Sequence, residues 1–281
     1  MLTAALDASG SADAARPQAA GLLRDLRAGR PLEGLAVLIV VAHPDDETLG
    51  LGGRLPLLAN PVLLHVTDGA PLSLGALRET RRGERARELE RALAALGVQV
   101  RRRALGFADQ TAALRLPELV EAVRRELAET DVAITHAYEG GHPDHDACAF
   151  AVQAACALAT REGGQAPVRL EFAGYHRAVD GRRVTGAFWP DPHRPAVRAA
   201  LSARELARKR RGLACFESQA EVVAWFDPAR ELYREAPQYD FARPPPPGPC
   251  LYDGWGWSLT SAQWRVHARD ALAAFGLEAC A

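Results

Sequence analysis

The feature that most constrains the fold is an uninterrupted apolar run, LAVLIVV at residues 35–41, which polar residues follow at once. A run of this length that is rich in β-branched residues predicts a strand buried on both faces, as in the centre of a parallel sheet. The chain continues as AHPDDE, so His43, Asp45, Asp46 and Glu47 come directly after the strand. Adjacent acids repel one another, and at a strand end they need a cation or a proton to balance them.

Strand and helix patterns alternate along much of the remaining chain. Further strands are predicted at VLLHV (62–66), VQVRRR (98–103), DVAITH (131–136) and VRLEFAGYH (168–176). Helices are predicted within 21–31, after the glycine-rich turn toward residue 58, and at 78–96, 117–129, 144–160 and 204–214. This alternation predicts an α/β fold, Rossmann-like, with a mostly parallel sheet and helices on both faces.

We divide the chain into three parts. Residues 1–30 are interpreted as a loose, small and polar N-terminal tail followed by a short helix, and residues 31–242 as the Rossmann-like domain. Residues 243–281 are interpreted as a proline-rich connector, RPPPPGPC, with a C-terminal appendage packed on the same domain. The appendage has too few residues for an independent domain, because chains below about 40 residues rarely fold alone.

Composition excludes several classes of partner and location. The net charge of −1 gives no general attraction for nucleic acid or anionic membranes. No apolar run approaches the roughly 20 residues of a membrane span, and the first residues lack the pattern of a signal peptide. The five cysteines are odd in number and show no CxxC spacing, which favours reduced thiols and a cytoplasmic location. The oligomeric state stays open, and a homo-oligomer is compatible with the sequence.

A second polar cluster occupies a place equivalent to the first. The stretch ITHAYEGGHPDHDA (134–147) follows another predicted strand and carries His142, Asp144 and His145. Because ligands of open α/β sheets bind beyond the carboxyl ends of the strands, we expect the two clusters to meet there. The sequence therefore predicts a metal site at this edge of the sheet.

The residue types of the two clusters indicate which metal they would hold. Neutral imidazole and carboxylate suit zinc and related first-row metals, and three protein ligands leave one position open for water. One zinc per chain is expected, although the same ligands also accept iron or another divalent metal. A neighbouring carboxylate can then serve as general base toward an activated water.

The two motifs together carry a family resemblance. AHPDDETLG with GGHPDHDA resembles the PIG-L/LmbE-like family of zinc-dependent de-N-acetylases, which act on N-acetylglucosamine-type sugars. Four other stretches resemble weaker family features, so the match extends over residues 35–220: VTDGAP (66–71), ERARELERALAALGV (84–98), GFADQ (106–110) and RKRRGLACFESQ (208–219).

The resemblance implies a hydrolase that removes acetyl from a small-molecule amino-sugar conjugate with the help of zinc. It assigns the metal to His43 and Asp46 of the first motif and to His145 of the second. Asp45 would be the general base. The residue chemistry agrees, because amide hydrolysis needs an activated water and a Lewis acid at the carbonyl.

The resemblance also implies roles for four further side chains. His142 would stabilise the oxyanion or protonate the leaving amine, with Asp144 orienting its ring. Arg85 and Asp109 would bind substrate hydroxyls, as an Arg and an acid do in comparable places in the family.

Three alternatives remain open at this level. A nucleotide-binding Rossmann protein is disfavoured because GLGG (50–53) does not have GxGxxG spacing and acids occupy the position of a pyrophosphate. A metal-dependent amidase or phosphoesterase acting on a non-sugar substrate would use similar ligands, although phosphoesterases often need a second metal. A catalytically silent binding protein of the same fold would not need Asp45.

Overall fold

The computed structural model describes residues 18–245 and 249–277. The predicted tail at residues 1–17, the connector residues 246–248 and Cys280 lie outside the described residues.

A seven-stranded sheet forms the centre of the described chain. In chain order the strands are β1 (Val37–Val41), β2 (Val62–Pro71), β3 (Arg101–Asp109), β4 (Val132–His136), β5 (Val168–Phe172), β6 (Tyr175–Arg177), β7 (Arg183–Thr185), β8 (Val197–Arg198) and β9 (Leu232–Glu235). The order across the large sheet is β3-β2-β1-β4-β5-β9-β8, while β6 and β7 form a separate hairpin. The first five strands are parallel; β9 pairs antiparallel with β5, and the edge strand β8 pairs antiparallel with β9. The predicted mostly parallel sheet is confirmed.

Helices cover both faces of this sheet, as predicted. They are α1 (Ala19–Ala28), α2 (Asp46–Leu51), α3 (Arg78–Leu96), α4 (Leu116–Leu127), α5 (Pro143–Arg161), α6 (Ala203–Leu213), α7 (Ala220–Val223) and α8 (Ser261–Ala274). One apolar core lies between the sheet and α4, α5 and α8, and the other lies between the sheet and α1 and α3.

The central strand β1 shows why its sequence is apolar throughout. Leu38 and Val40 belong to the first core, whereas Val37, Ile39 and Val41 belong to the second. Successive side chains of a strand point to opposite faces, so a strand covered on both faces needs an apolar residue at every position.

Several boundaries differ from the sequence predictions, and local contacts explain two of the differences. A 3-10 helix at Leu55–Leu57 follows the glycines as predicted, but an α-helix that was not predicted begins before them, at Asp46, and Gly50 lies within it. A Cβ added at Gly50 would lie 2.3 Å from the ring of Phe172, so this glycine permits close packing of α2 on the sheet. The strand predicted at 168–176 is interrupted at Gly174, because the backbone N–H of that residue donates to Glu139 rather than to a ladder.

The topology brings the two polar motifs together. The strands β1 and β4 are neighbours at the centre of the sheet, and β1 also pairs with β2 on its other side. The connections from β1 and from β4 leave in opposite directions, and such a switch point opens a crevice at the carboxyl ends of the strands. AHPDDE follows β1 and GGHPDHDA follows β4 at this crevice.

The C-terminal segment contacts the second motif. The indole N–H of Trp264, which is fully buried in α8, donates to the carbonyl of Pro143 at 2.9 Å. The backbone N–H of Leu251 donates to the carbonyl of Gly140 at 2.8 Å. Among the described residues, no helix is long and apolar enough to cross a membrane.

A buried ion pair fastens α6 to the sheet, and we expect it to be important for stability. Lys209 and Glu231 are 1% and 2% exposed, and Nζ lies 2.7 Å from Oε1. Glu231→Gln would leave the ammonium group buried and uncompensated, so the free energy of unfolding should fall by about 3–5 kcal/mol. Urea denaturation measures this fall. Glu126→Gln, which alters the exposed pair with Arg103, is the control and should cost less than about 1 kcal/mol. Equal losses in the two variants would contradict the prediction.

Candidate metal and catalytic site

The turn after β1 contains a strained residue. Asp45 has φ 145° and ψ −28°, a conformation that L-residues rarely adopt and that costs about 1–3 kcal/mol. Its carbonyl accepts from the N–H groups of Thr48 and Leu49, and its own N–H donates to Oε2 of Glu47 at 3.1 Å. The same oxygen of Glu47 lies 3.1 Å from Nε2 of His65. The fully buried Glu47 therefore holds the turn from behind rather than facing the pocket.

The second motif is fixed by the start of α5. His142 is the N-cap residue, and its Nδ1 accepts from the backbone N–H of Asp144 at 3.1 Å. A Cβ added at Gly141 would lie 1.8 Å from the carbonyl oxygen of Tyr175, so only glycine fits before the cap. Asp144 thus orients the ring of His142 through its backbone amide.

Two acids of the second motif turn away from the pocket. Oδ1 of Asp146 accepts from the backbone N–H groups of Glu139 and Gly140, at 3.2 and 3.1 Å. Glu139 accepts from the N–H of Gly174 and lies 3.3 Å from Nδ1 of His176. Both carboxylates support the loop that carries the motif.

Asp46 lies between two histidines that come from different motifs. Its Oδ2 lies 3.2 Å from Nδ1 of His43, and its Oδ1 lies 3.3 Å from Nε2 of His145. Ligands held at about 2.0–2.2 Å on the corners of a tetrahedron are roughly 3.3–3.6 Å apart. These spacings and this donor set fit a divalent metal of the zinc type.

Three groups of buried or half-buried side chains place ligand atoms within 4.8 Å of one another. One group contains His43 and His145, and another contains Asp46 and His145, but no group contains both His43 and Asp46. The groups are His43 with His142 and His145; His43 with Asp109, His142 and Asp144; and Asp46 with His136 and His145.

Hydrogen-bond partners assign different tasks to the histidines. Nε2 of His43 lies 3.0 Å from Asp109 and 3.4 Å from Asp144, so this nitrogen donates. Although burial opposes the shift, the carboxylates of Asp109, Asp144 and Asp46 raise the pKa of His43 well above its ordinary value. Burial, reinforced by His43, lowers the pKa of His142 well below its ordinary value. Because Nδ1 of the neutral His142 is an acceptor, its proton is on Nε2, which is therefore a donor facing the pocket.

The two adjacent aspartates differ in their proton affinity. Burial raises the pKa of Asp45 to about 6, although Nη2 of Arg85 lies 3.1 Å from its Oδ2 and opposes the rise. Burial would also raise the pKa of Asp46, but His145 and His136 hold it well below the usual value. Neighbouring carboxylates with separated pKa values are typical of divided roles, one binding charge and the other moving protons.

Two of the weaker motifs contact each other beside the site. Glu88, one turn after Arg85 in α3, accepts from the backbone N–H and the hydroxyl of Ser218, both at 2.7 Å. A Cβ added at Gly69 would lie 2.7 Å from Nε of Arg85. The arginine predicted to bind substrate is therefore buried and closely surrounded, with Nη2 directed to Asp45.

A cavity of about 220 Å³ opens at this edge of the sheet. Seven of the eight predicted site residues line it: His43, Asp45, Asp46, Arg85, Asp109, His142 and His145. The eighth, Asp144, is fully buried below, where its carboxylate accepts from the N–H groups of Gln110 and Ala112.

Sequence reasoning missed several residues of this cavity. Tyr175, Trp225, Trp255 and Trp257 line it, and only the repeated tryptophan in WGW at 255–257 offered a signal. Beside the cavity, His136 is buried and stacks on His145 with a centroid distance of 4.0 Å.

Comparison with known proteins places these motifs within a family. A family model described as PIG-L, GlcNAc-PI de-N-acetylase, matches residues 38–156. A protein of Bacillus cereus named probable N-acetyl-alpha-D-glucosaminyl L-malate deacetylase 2 is 32% identical over 139 residues, covering 45% of this chain and 63% of its own. Its namesake in Bacillus anthracis is 33% identical over 167 residues, covering 52% of this chain and 70% of its own. This chain therefore spans less than two thirds of the length of the Bacillus cereus protein.

Solved structures share the fold at low sequence identity. The antimicrobial reagent A40926 pseudoaglycone deacetylase Dbv21 superposes with a TM-score of 0.51 at 16% identity, covering 72% of this chain and 96% of its own. A deacetylase from the biosynthesis pathway of teicoplanin superposes with a TM-score of 0.50 at 18% identity, covering 67% and 86%. At these identities the likeness shows the fold alone.

Proposed function

Because this chain belongs to the PIG-L family, we propose that it is a metal-dependent hydrolase that removes the acetyl group from an N-acetylglucosamine-type substrate. The observation that carries this proposal is the convergence of Asp45, Asp46, His142 and His145 around one cavity. The names of the two Bacillus relatives support an amino-sugar conjugate as the substrate.

His43, Asp46 and His145 are the residues proposed to hold the metal, and zinc is the metal proposed. Nδ1 of His43 lies 3.2 Å from Oδ2 of Asp46, and Nε2 of His145 lies 3.3 Å from Oδ1 of Asp46; these distances support the choice of ligands. When bound, a divalent metal supplies Lewis acidity, which polarises an acetamide carbonyl and acidifies water.

The remaining steps belong to side chains of this protein. Asp45 takes a proton from the attacking water, and Arg85 holds the carboxylate in place. His142 donates through Nε2 to the developing oxyanion, or gives its proton to the departing amine. Water and the acetamide are thereby converted into acetate and a free amino group.

Asp109 and Arg85 are proposed to contact the sugar. Asp109 is half-buried at the cavity wall, and its Oδ1 lies 3.0 Å from Nε2 of His43 and 3.5 Å from Nε2 of His142. A carboxylate in this position can accept a hydrogen bond from a substrate hydroxyl beside the reacting amide.

A reducing compartment such as the cytoplasm is the proposed location. Cys148, Cys156, Cys215 and Cys250 are free thiols, and the first two and the last are buried. Proteins of oxidising compartments more commonly pair their cysteines.

Metal content and acetate release test the proposed function together. Protein purified without chelator should carry about one divalent metal per chain by elemental analysis and should release acetate from N-acetylglucosamine conjugates. Chelation should lower the rate at least about 100-fold, and added zinc should restore it, because the Lewis acid is then absent from the reaction. Undiminished acetate release from chelated, metal-free protein would refute the metal dependence. Metal-dependent phosphate release from phosphomonoesters without acetate release would favour the phosphoesterase alternative.

A further inference from the structure

Much of the cavity lining outside the catalytic cluster is aromatic. Four residues, here called the aromatic arc, form a path of ring contacts that starts at His142: Trp257, Trp255, Tyr175 and Trp225. Tyr175 is buried, and its ring centroid also lies 5.3 Å from that of His145. Successive centroid distances along this path are 5.0, 4.6, 6.3 and 5.7 Å, within the range of favourable aromatic contacts. The arc is therefore one continuous surface that begins at the proposed catalytic histidine.

The tryptophans of the arc are firmly positioned. Trp255 and Trp257 follow a short 3-10 turn whose Asp253 accepts from the N–H and the hydroxyl of Ser261, both at 2.7 Å. Trp225 comes from a different segment, and the guanidinium of Arg183 lies 3.5 Å from its ring centroid. All three indoles are half-buried, so each presents ring surface to the cavity. A binding surface that is already ordered loses little entropy when a ligand binds.

The shape and the charge of this part of the cavity exclude most kinds of occupant. Neighbouring rings along the arc meet at 64°, 43° and 88°, so the arc is not one flat platform. Beside the arc, Gln219 is the one polar residue among the described lining residues outside the catalytic cluster. The three aspartates of the cluster are balanced by Arg85 and the proposed dication, and Arg183 covers one face of Trp225 without itself lining the cavity. A hydroxyl-rich or ionic group would be desolvated here without partners.

We propose that the aromatic arc binds an uncharged aryl aglycone attached to the N-acetylamino sugar, an inference that rests on the proposed deacetylase function. The two Bacillus relatives are named for a malate conjugate, so a preference for an aryl aglycone would distinguish this protein from them. Stacking and edge-to-face contacts with the aglycone would hold the sugar with its acetamide toward Asp45 and His142.

Matched substrates test this inference. The zinc-loaded protein is assayed for acetate release from phenyl, methyl and malate N-acetylglucosaminides of the same anomer. The phenyl substrate should exceed both others in kcat/KM by at least about 10-fold, because the stacked ring adds favourable contacts. A ratio near one, or a preference for malate, would overturn the inference while leaving deacetylation established.

Variants of the arc connect the preference to named residues. Trp225→Ala and Trp255→Ala should each lower the phenyl-to-methyl ratio of kcat/KM about 10-fold, while Trp255→Phe should retain most of it. Trp189→Phe is the matched control, because this half-buried tryptophan makes a tilted ring contact with His176 outside the cavity, so the substitution should leave the ratio unchanged. Equal ratios in all four variants would contradict the assignment.

A binding measurement separates this inference from the proposed function. Quenching of tryptophan fluorescence by phenyl glucosaminide, the deacetylated product, reports occupation of the arc without turnover. Tighter binding of the phenyl than of the methyl product, lost in Trp255→Ala, supports the arc even if no substrate is deacetylated. Absence of acetate release from every substrate would refute the proposed function, and equal binding of both products would refute the arc.

Discussion

Asp45→Asn should lower kcat by about 10²–10⁴-fold while the protein retains its metal, because an amide cannot accept the proton of the attacking water. Asn has nearly the same shape as Asp, and its carbonyl oxygen can still accept from Arg85, which lies 3.1 Å from Oδ2 in the native protein. Acetate release under substrate saturation, with elemental analysis of the same sample, measures both quantities.

The control for this variant is another aspartate that pairs with an arginine. Asp25 lies 2.7 Å from Arg30 on the exposed end of α1, and Asp25→Asn should leave kcat within about threefold. Near-normal activity of Asp45→Asn would show that Asp45 is not the base. Loss of its metal would show that Asp45 belongs to the ligand set.

His145→Ala should remove the metal as well as the activity. The substitution deletes a ligand whose Nε2 lies 3.3 Å from Oδ1 of Asp46, so one of three proposed donors is lost. We expect metal affinity to fall by more than the roughly 10–100-fold that follows loss of a group supporting a ligand. Metal content after dialysis against a weak chelator measures the effect, and content equal to that of the native protein would exclude His145 as a ligand.

A second buried histidine distinguishes metal loss from general instability. His176 is 4% exposed, lies 3.3 Å from Oε2 of Glu139 and does not line the cavity. His176→Ala should therefore retain its metal even if the protein unfolds more easily. Together, Asp45→Asn and His145→Ala test two proposed roles separately: proton transfer by Asp45 and metal binding by His145.

Local sequence patterns determined the elements that surround the site. The apolar run before His43 predicted the central strand, because only a strand covered on both faces needs an apolar residue at every position. The helix from Arg78 to Leu96 begins and ends at its predicted residues. The rule that ligands bind beyond the carboxyl ends of parallel strands placed both His-Pro-Asp motifs at one edge. These inferences needed only periodicity and the chemistry of side chains near strand ends.

The tertiary structure decided what distant segments contribute. Trp255 and Trp257 enter the cavity because the backbone of Leu251 bonds to Gly140, more than a hundred residues earlier in the chain. His136 stacks on His145 because both lie where β4 meets α5. Asp144 contacts His142 through its amide, a detail set by the helix cap. Sequence by itself determined which chemistry this chain carries, whereas long-range packing decided which side chains surround it, since such contacts leave no periodic trace along the chain.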